Sequence, residues 1–152
     1  MFLDKDTFKT VIENAPLVSI DLVVKNSRGQ YLLGYRTNRP AKGFWFVPGG
    51  RIHKGESMDL AFLRLTEVEL GVKVDRQSAR FIGPFEHFYD DSVFGKDVTT
   101  HYIVLGYELI LDINIRELPS EQHSQYRWFG RSELIERENV HQHSKWYLDT
   151  KK

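Results

Sequence analysis

The sequence predicts an α/β domain, on the strength of three stretches. Pro48 to Val72, PGGRIHKGESMDLAFLRLTEVELGV, reads as a glycine turn opening directly into a helix that closes at Gly71, a residue type suited to the left-handed position past a helix end. LVSIDLVVKN alternates in the period-2 manner of a strand, with Val18, Ile20, Leu22 and Val24 on one face and Leu17, Ser19, Asp21 and Val23 on the other. TTHYIVLGYELIL has the Thr, Val, Ile and Tyr content of a long strand.

The remaining elements follow in chain order. Asp4 and Asp6 are N-cap candidates for a short helix that carries Phe8, Val11 and Ile12 at helical spacing and is ended by Pro16; it would serve packing or a dimer contact. Asn26 to Gly29 is a turn, and QYLLGYR is the returning strand of a hairpin. The loop TNRPAKGFW leads to the glycine pair, where Gly49 and Gly50 permit positive φ and close backbone approach, and the amides beyond them would favour an anion at a helix N-terminus. The helix carries Leu60, Ala61, Phe62, Leu63, Leu65, Val68 and Leu70 nearly all round, which predicts burial on more than one side. ARFIGPFEHFYDD is a strand running into an acidic loop, DDSVFGKD is a polar turn, and RELPSEQHSQYRWFG is an exposed loop before a short strand with Trp128. A helix capped at Ser132 and the aromatic segment HQHSKWYL complete the chain, which is expected to form one domain over residues 1–152.

Composition excludes several classes of function. Hydrophobic residues at 41% and charged residues at 28% place the chain among soluble globular proteins, and a formal net charge of zero gives no support for binding nucleic acid. The absence of cysteine removes disulfides, zinc-thiolate sites and thiol nucleophiles together. MFLDKDTF lacks the pattern of a signal peptide and no stretch reads as a bilayer span, so the expectation is a cytoplasmic protein without membrane partners.

Several side chains could carry chemistry. Asp21 lies mid-strand among apolar neighbours, where a carboxylate requires a partner; a structural ion pair or an exposed strand face would supply the ordinary explanation. Arg36, Arg39 and Arg51 bracket the glycine pair, and a guanidinium fork suits phosphate oxygens. Glu69, one turn beyond Leu65, is stranded among apolar residues unless a cation meets it, whereas Glu56 and Arg64 read as a structural ion pair. Of the six histidines, His141 and His143 read as solvated surface for want of a third ligand, His101 as a hydrogen-bonded strand residue, and His123, beside Gln122, as a loop histidine able to reach a neighbouring site.

Counted from Gly50, the positions of Glu56, Arg64, Glu69, Gly71 and Val72 resemble the Nudix box, in which a glycine and a glutamate precede Arg-Glu-apolar-any-Glu-Glu-any-Gly-apolar. Leu65 and Val68 stand where two of its glutamates are expected. With RTNRPAKGFWFVPGGR before the box and HFYDD, TTHY and EQH after it, the chain resembles one Nudix branch, the GDP-mannose mannosyl hydrolases. The resemblance implies a Nudix fold, a mixed sheet sandwiched between helices. It implies a homodimer with one Mg²⁺ or Mn²⁺ per subunit, and GDP-mannose or GDP-glucose as substrate. It also implies that the Gly49 carbonyl, Glu69 and Gln122 hold the metal, all oxygen donors suited to a hard cation. Arg36, Arg51 and Tyr102 would bind the diphosphate, Asp21 and His87 the hexose, and His123 would be the general base; Arg36, Asp21 and Tyr102 would also assist the chemistry.

With the helix carboxylates replaced, the implied reaction is attack of water at the anomeric carbon with inversion, releasing GDP and mannose. Two alternatives remain open: a pyrophosphatase that cleaves the P–O–P bond of a nucleotide sugar, and a catalytically silent module that binds one.

Overall fold

A computed structural model describes residues 3–119 and 125–148. Helix α1 (Lys5–Asn14) starts where Asp4 accepts a hydrogen bond from the Thr7 amide, the cap expected of an aspartate. Strand β1 (Leu17–Lys25) follows, then β2 (Tyr31–Tyr35), β3 (Trp45–Phe46) and β4 (Gly49–Arg51). Helix α2 (Met58–Leu70) precedes the long strands β5 (Arg80–Tyr89) and β6 (Thr100–Ile110). Strand β7 (Gln125–Phe129), helices α3 (Arg131–Glu136) and α4 (Gln142–Lys145), and a 3-10 turn at Trp146–Leu148 complete the described chain.

The strands form one mixed sheet of order β3-β2-β1-β6-β5, with β4 added to β1 and β7 to β2. Strand β1 is its centre: it runs parallel to β6 and antiparallel to both β2 and β4. Its alternation sorts the two cores. Ile20, Leu22 and Val24 pack with Phe62, Leu65 and Leu70 of α2, while Val23 on the opposite face packs with Trp45, Phe129, Leu134 and Leu148. Helices thus cover both faces, the sandwich that the resemblance implies. Helix α1 packs at one end, where Ile12 meets Leu17 and Val98.

Three local expectations are corrected. Gly49 and Gly50 do not form a turn into a helix; they are β4, paired with Asp21 and Ile20, and neither has positive φ. Helix α2 begins seven residues after Arg51, capped by the Ser57 hydroxyl, so its N-terminus does not adjoin the glycine pair. Nor is α2 buried all round: Leu60 is 60% exposed and Val68 38%, while Ala61, Phe62, Leu65 and Glu69 form its single inward face. The third helix is capped at Gly130, with Ser132 inside its first turn.

What the glycines provide is close approach. A Cβ on Gly49 would lie 2.2 Å from the Ile20 carbonyl oxygen, and one on Gly50 2.6 Å from Leu65 Cδ2. Strand β4 is thereby squeezed between β1 and the inward face of α2. The loop that follows is braced by the predicted ion pair: Arg64 donates to both Glu56 carboxylate oxygens (2.7 and 2.9 Å) and to the Arg51 carbonyl (2.8 Å). That pair holds the Glu56 carboxyl down at about 2, chiefly through the Arg64 hydrogen bond.

The two contacts predict unequal tolerance. Gly49→Ala meets backbone and is expected to destabilise by about 3 kcal/mol, whereas Gly50→Ala meets a side-chain tip that can turn away and should cost about 1 kcal/mol. Urea denaturation of the two variants checks the order.

Candidate functional site

A cleft of about 530 Å³ opens where β4, β5 and β6 meet the loop after β2. Asp21, Arg36, Gly49, Arg51, His87 and Tyr102 all line it. Residues spread across 82 positions of sequence, from 21 to 102, converge because β1 and β6 are neighbours and β5 pairs with β6, setting His87 opposite Tyr102. Gln122 and His123 lie outside the described residues.

Each cation is oriented by its surroundings. The Arg36 Nε donates to the Pro40 carbonyl (2.8 Å), inside a loop closed by the Arg36 amide on the Phe44 carbonyl. The Arg51 guanidinium lies 4.9 Å over the Phe8 ring, so α1 supports the cleft through a cation–π contact. Arg39, grouped with these two on sequence, is instead paired with Asp91 (3.0 Å) and lines a neighbouring cleft.

Two buried carboxylates flank Gly49. Glu69, 2% exposed, accepts the Gly49 N–H at 3.2 Å. Asp21, 6% exposed, sits opposite Gly49 on β1 and accepts from the Tyr147 hydroxyl. Neither ordinary explanation of Asp21 fits: it is buried, and among the described residues it makes no ion pair. Burial pushes each carboxyl up to about 7 against the pull of the Arg36 charge; the Tyr147 hydrogen bond also lowers Asp21, and the Gly49 hydrogen bond lowers Glu69.

The register decides which way Gly49 points. The Leu22 amide donates to the Pro48 carbonyl and the Ile52 amide to the Val18 carbonyl, so Asp21 and Gly49 form the intervening pair without ladder hydrogen bonds. Both the N–H and the C=O of Gly49 therefore face away from β1, toward Glu69. A carbonyl and a carboxylate on one side of a strand form an all-oxygen donor set that fits a hard divalent cation. Among the described residues no three His, Cys, Asp or Glu side chains converge on one metal position, so a cation here would take further ligands from substrate, water or the segment holding Gln122.

Packed against the lining residues Phe46, His87 and Tyr89 are residues that the sequence reading missed. His143 is buried and its ring stacks on His87 at 4.2 Å and 15°, with His141 at 4.4 Å and Trp146 at 4.5 Å. The solvated H-x-H pair is thus corrected: both rings belong to an aromatic box with Phe46 and Tyr89. Segment 141–148 is pinned by the Val47 amide donating to Ser144 Oγ (3.1 Å) and by Arg131 donating to the Leu148 carbonyl. Its Tyr147 keeps its proton, because burial and the Asp21 charge raise the phenol well above its usual value. His101 lies elsewhere on β6, stacked on Phe88, and its Nε2 has no hydrogen-bond partner among the described residues.

Comparison with known proteins fits this geometry. Residues 15–150 match the NUDIX domain. The chain belongs to the NUDIX family. It is 42% identical over 145 residues to the low-salt glycan biosynthesis protein Agl8 of Haloferax volcanii, covering 95% of this chain and 87% of that protein. Solved NUDIX structures share the fold: a MutT NUDIX hydrolase from Burkholderia pseudomallei (TM-score 0.70, 22% identity, 91% of this chain and 100% of that one) and the NUDIX domain of Shewanella oneidensis NrtR complexed with ADP ribose (TM-score 0.64, 18% identity, 96% and 91%). NUDIX hydrolases generally use divalent metals such as Mg²⁺. Among the described residues of this NUDIX domain, no helix is long and apolar enough to cross a membrane.

The histidine box gives a pH prediction. Burial, then the Arg36 charge, lowers His141 from 6.5 to about 4. The unfolded chain therefore binds more protons between those values, so stability present above pH 6.5 is lost as pH falls through 4. His141→Asn, which keeps an acceptor for the His143 amide, should remove about 1–2 kcal/mol of that pH dependence after allowance for partial solvent screening. Melting temperatures at pH 7, 5.5 and 4 measure it.

Proposed function

We propose that this chain hydrolyses a GDP-hexose, GDP-mannose or GDP-glucose, to GDP and the free sugar by attack of water at the anomeric carbon with inversion. The observation that carries the reading is the inward face of α2: Leu65 sits at 3% exposure against Gly50, and Glu69 is the helix carboxylate turned to β4. A face with that one carboxylate is poorly equipped to activate water against phosphorus, yet suited to stabilising a diphosphate as it departs. The similarity to a glycan biosynthesis protein supports a sugar-linked substrate.

In this reading Arg36, Arg51 and Tyr102 hold the diphosphate, and the two guanidiniums neutralise the charge that develops as the bond to the sugar breaks. Asp21 and His87 hold the hexose on the C-terminal side of the cleft. Glu69, the Gly49 carbonyl and Gln122 would hold one Mg²⁺ or Mn²⁺, which when bound supplies additional neutralisation of the leaving group. The general base is assigned to His123 by resemblance. A single base on the face opposite the leaving group gives inversion. The functional unit is proposed to be a cytoplasmic homodimer.

Hydrolysis in ¹⁸O-labelled water tests the bond that breaks. Label is expected in the hexose; label in a phosphate product would transfer the assignment to a pyrophosphatase, and binding without turnover would indicate a silent module. Two variants test the residues. His123→Gln should lower kcat by about 10² to 10⁴ with the fold retained, and near-normal turnover removes it as base. Glu69→Gln should weaken activity and Mg²⁺ dependence together, whereas an unchanged metal titration would show that the cation is held elsewhere.

A further inference from the structure

The C-terminal segment places a hydroxyl between the two residues proposed to hold the sugar. Tyr147 donates to Asp21 Oδ2, and its hydroxyl oxygen is 3.5 Å from His87 Nε2. Its ring position is dictated by a missing side chain. Gly106 on β6 is in register with Asp21 on β1, and a Cβ there would lie 2.9 Å from Tyr147 Cε1 and 3.3 Å from Phe85 Cε2. Glycine inside a strand weakens it, so its presence mid-β6 is accounted for by the ring that lies against it. Phe85 meets that ring edge-on at 4.7 Å.

From this geometry we infer that Tyr147 is a positioning residue for sugar recognition: it fixes the Asp21 carboxylate and the His87 ring so that one Asp21 oxygen is presented to the hexose hydroxyls. The inference rests on the proposed GDP-hexose reading. One carboxylate oxygen, Oδ2, is engaged by the phenol, while Oδ1 lies on the Gly49 side, 2.8 Å from where a Cβ at that residue would be. Without the phenol the carboxylate loses the hydrogen bond to Oδ2, and His87 loses the hydroxyl 3.5 Å from its Nε2. The diphosphate contacts, Arg36 and Arg51, are oriented by Pro40 and Phe8 and do not involve Tyr147. Tyr147 therefore acts on the hexose part of the ligand and not on the nucleotide part.

Calorimetry separates the two parts. Affinity is measured for GDP and for GDP-mannose carrying sulfur at the anomeric bridge, which resists hydrolysis, using the wild-type chain, Tyr147→Phe and Gly106→Ala. Tyr147→Phe retains the ring and removes the hydroxyl; Gly106→Ala retains the hydroxyl and displaces the ring. Either variant, with an unchanged melting temperature, is expected to bind GDP as the wild type does and to lose about tenfold of the affinity that the hexose adds, the scale of one hydrogen bond to a charged group. Equal hexose increments in wild type and variants overturn the role of Tyr147 and leave the proposed function standing. A fall in GDP affinity of the same size overturns it as well, by showing general disruption of the cleft. A wild type to which the hexose adds nothing overturns the GDP-hexose reading itself.

Discussion

The approach of β4 to its two neighbours is the constraint on which the cleft depends. Hydrogen at Cα is all that fits between Gly49 and the Ile20 carbonyl, and Gly50 lies so close to Leu65 that a Cβ would have to displace its side-chain tip. With that clearance the three-residue strand lies between β1 and α2, and its peptide groups acquire a defined direction. The Gly49 amide meets Glu69, the carbonyl points to the same side, and Arg51, the strand's last residue, enters the cleft under Phe8. The Glu56–Arg64 pair then fixes the exit of the chain through the Arg51 carbonyl. A structural ion pair and two glycines thus set the geometry of residues that are themselves none of these.

Strand β1 divides the labour between the faces of the sheet. Its even positions Ile20, Leu22 and Val24 feed the core under α2, whereas Val18 is exposed, and its odd positions include Ser19, Asp21 and Val23 on the other face. The two carboxylates consequently belong to different layers, Glu69 to the helix below and Asp21 to the strand above, and meet only at Gly49. Burial alone would drive both toward the neutral form. Arg36 opposes it in both cases, so one guanidinium serves two carboxylates across the edge where the layers join. An anionic ligand and a cation entering together add charge of both signs to such a site, which is a smaller electrostatic change than either alone.

Much of this was legible in the sequence because the relevant signals are local. Period-2 alternation located β1, the Asp4 cap and Gly71 located helix ends, and the spacing of the box residues located Glu56, Arg64 and Glu69. Of the nine candidate site residues, Asp21, Arg36, Gly49, Arg51, His87 and Tyr102 line the cleft and Glu69 contacts that lining through the Gly49 N–H; Gln122 and His123 fall outside the described residues. What could not be read was long-range. The glycine pair looks like a turn until β1 is beside it, and Leu60 and Val68 look buried until the opposite side of α2 proves to face solvent. His141, His143 and Tyr147 carried no local mark of function, since their places depend on segment 141–148 folding back across the sheet. The one signal present was Gly106, a glycine in the middle of a β-rich run, which marks the close approach of something unnamed.

The histidine box bears on where a proton acceptor can reside. A base that activates water must carry a free lone pair within reach of the reacting atom and a pKa near the working pH. His141 has its Nδ1 engaged by the His143 amide and a pKa lowered to about 4, which leaves it a weak base. His87 is stacked on His143 and its Nε2 faces the Tyr147 hydroxyl, so its ring is committed to the wall. Asp21 spends one oxygen on Tyr147 and Glu69 one on Gly49, and each is buried. The described cleft is therefore built to bind and orient, with its titratable groups tied to one another. In the proposed reaction the acceptor is assigned by resemblance to His123, which lies outside the described residues.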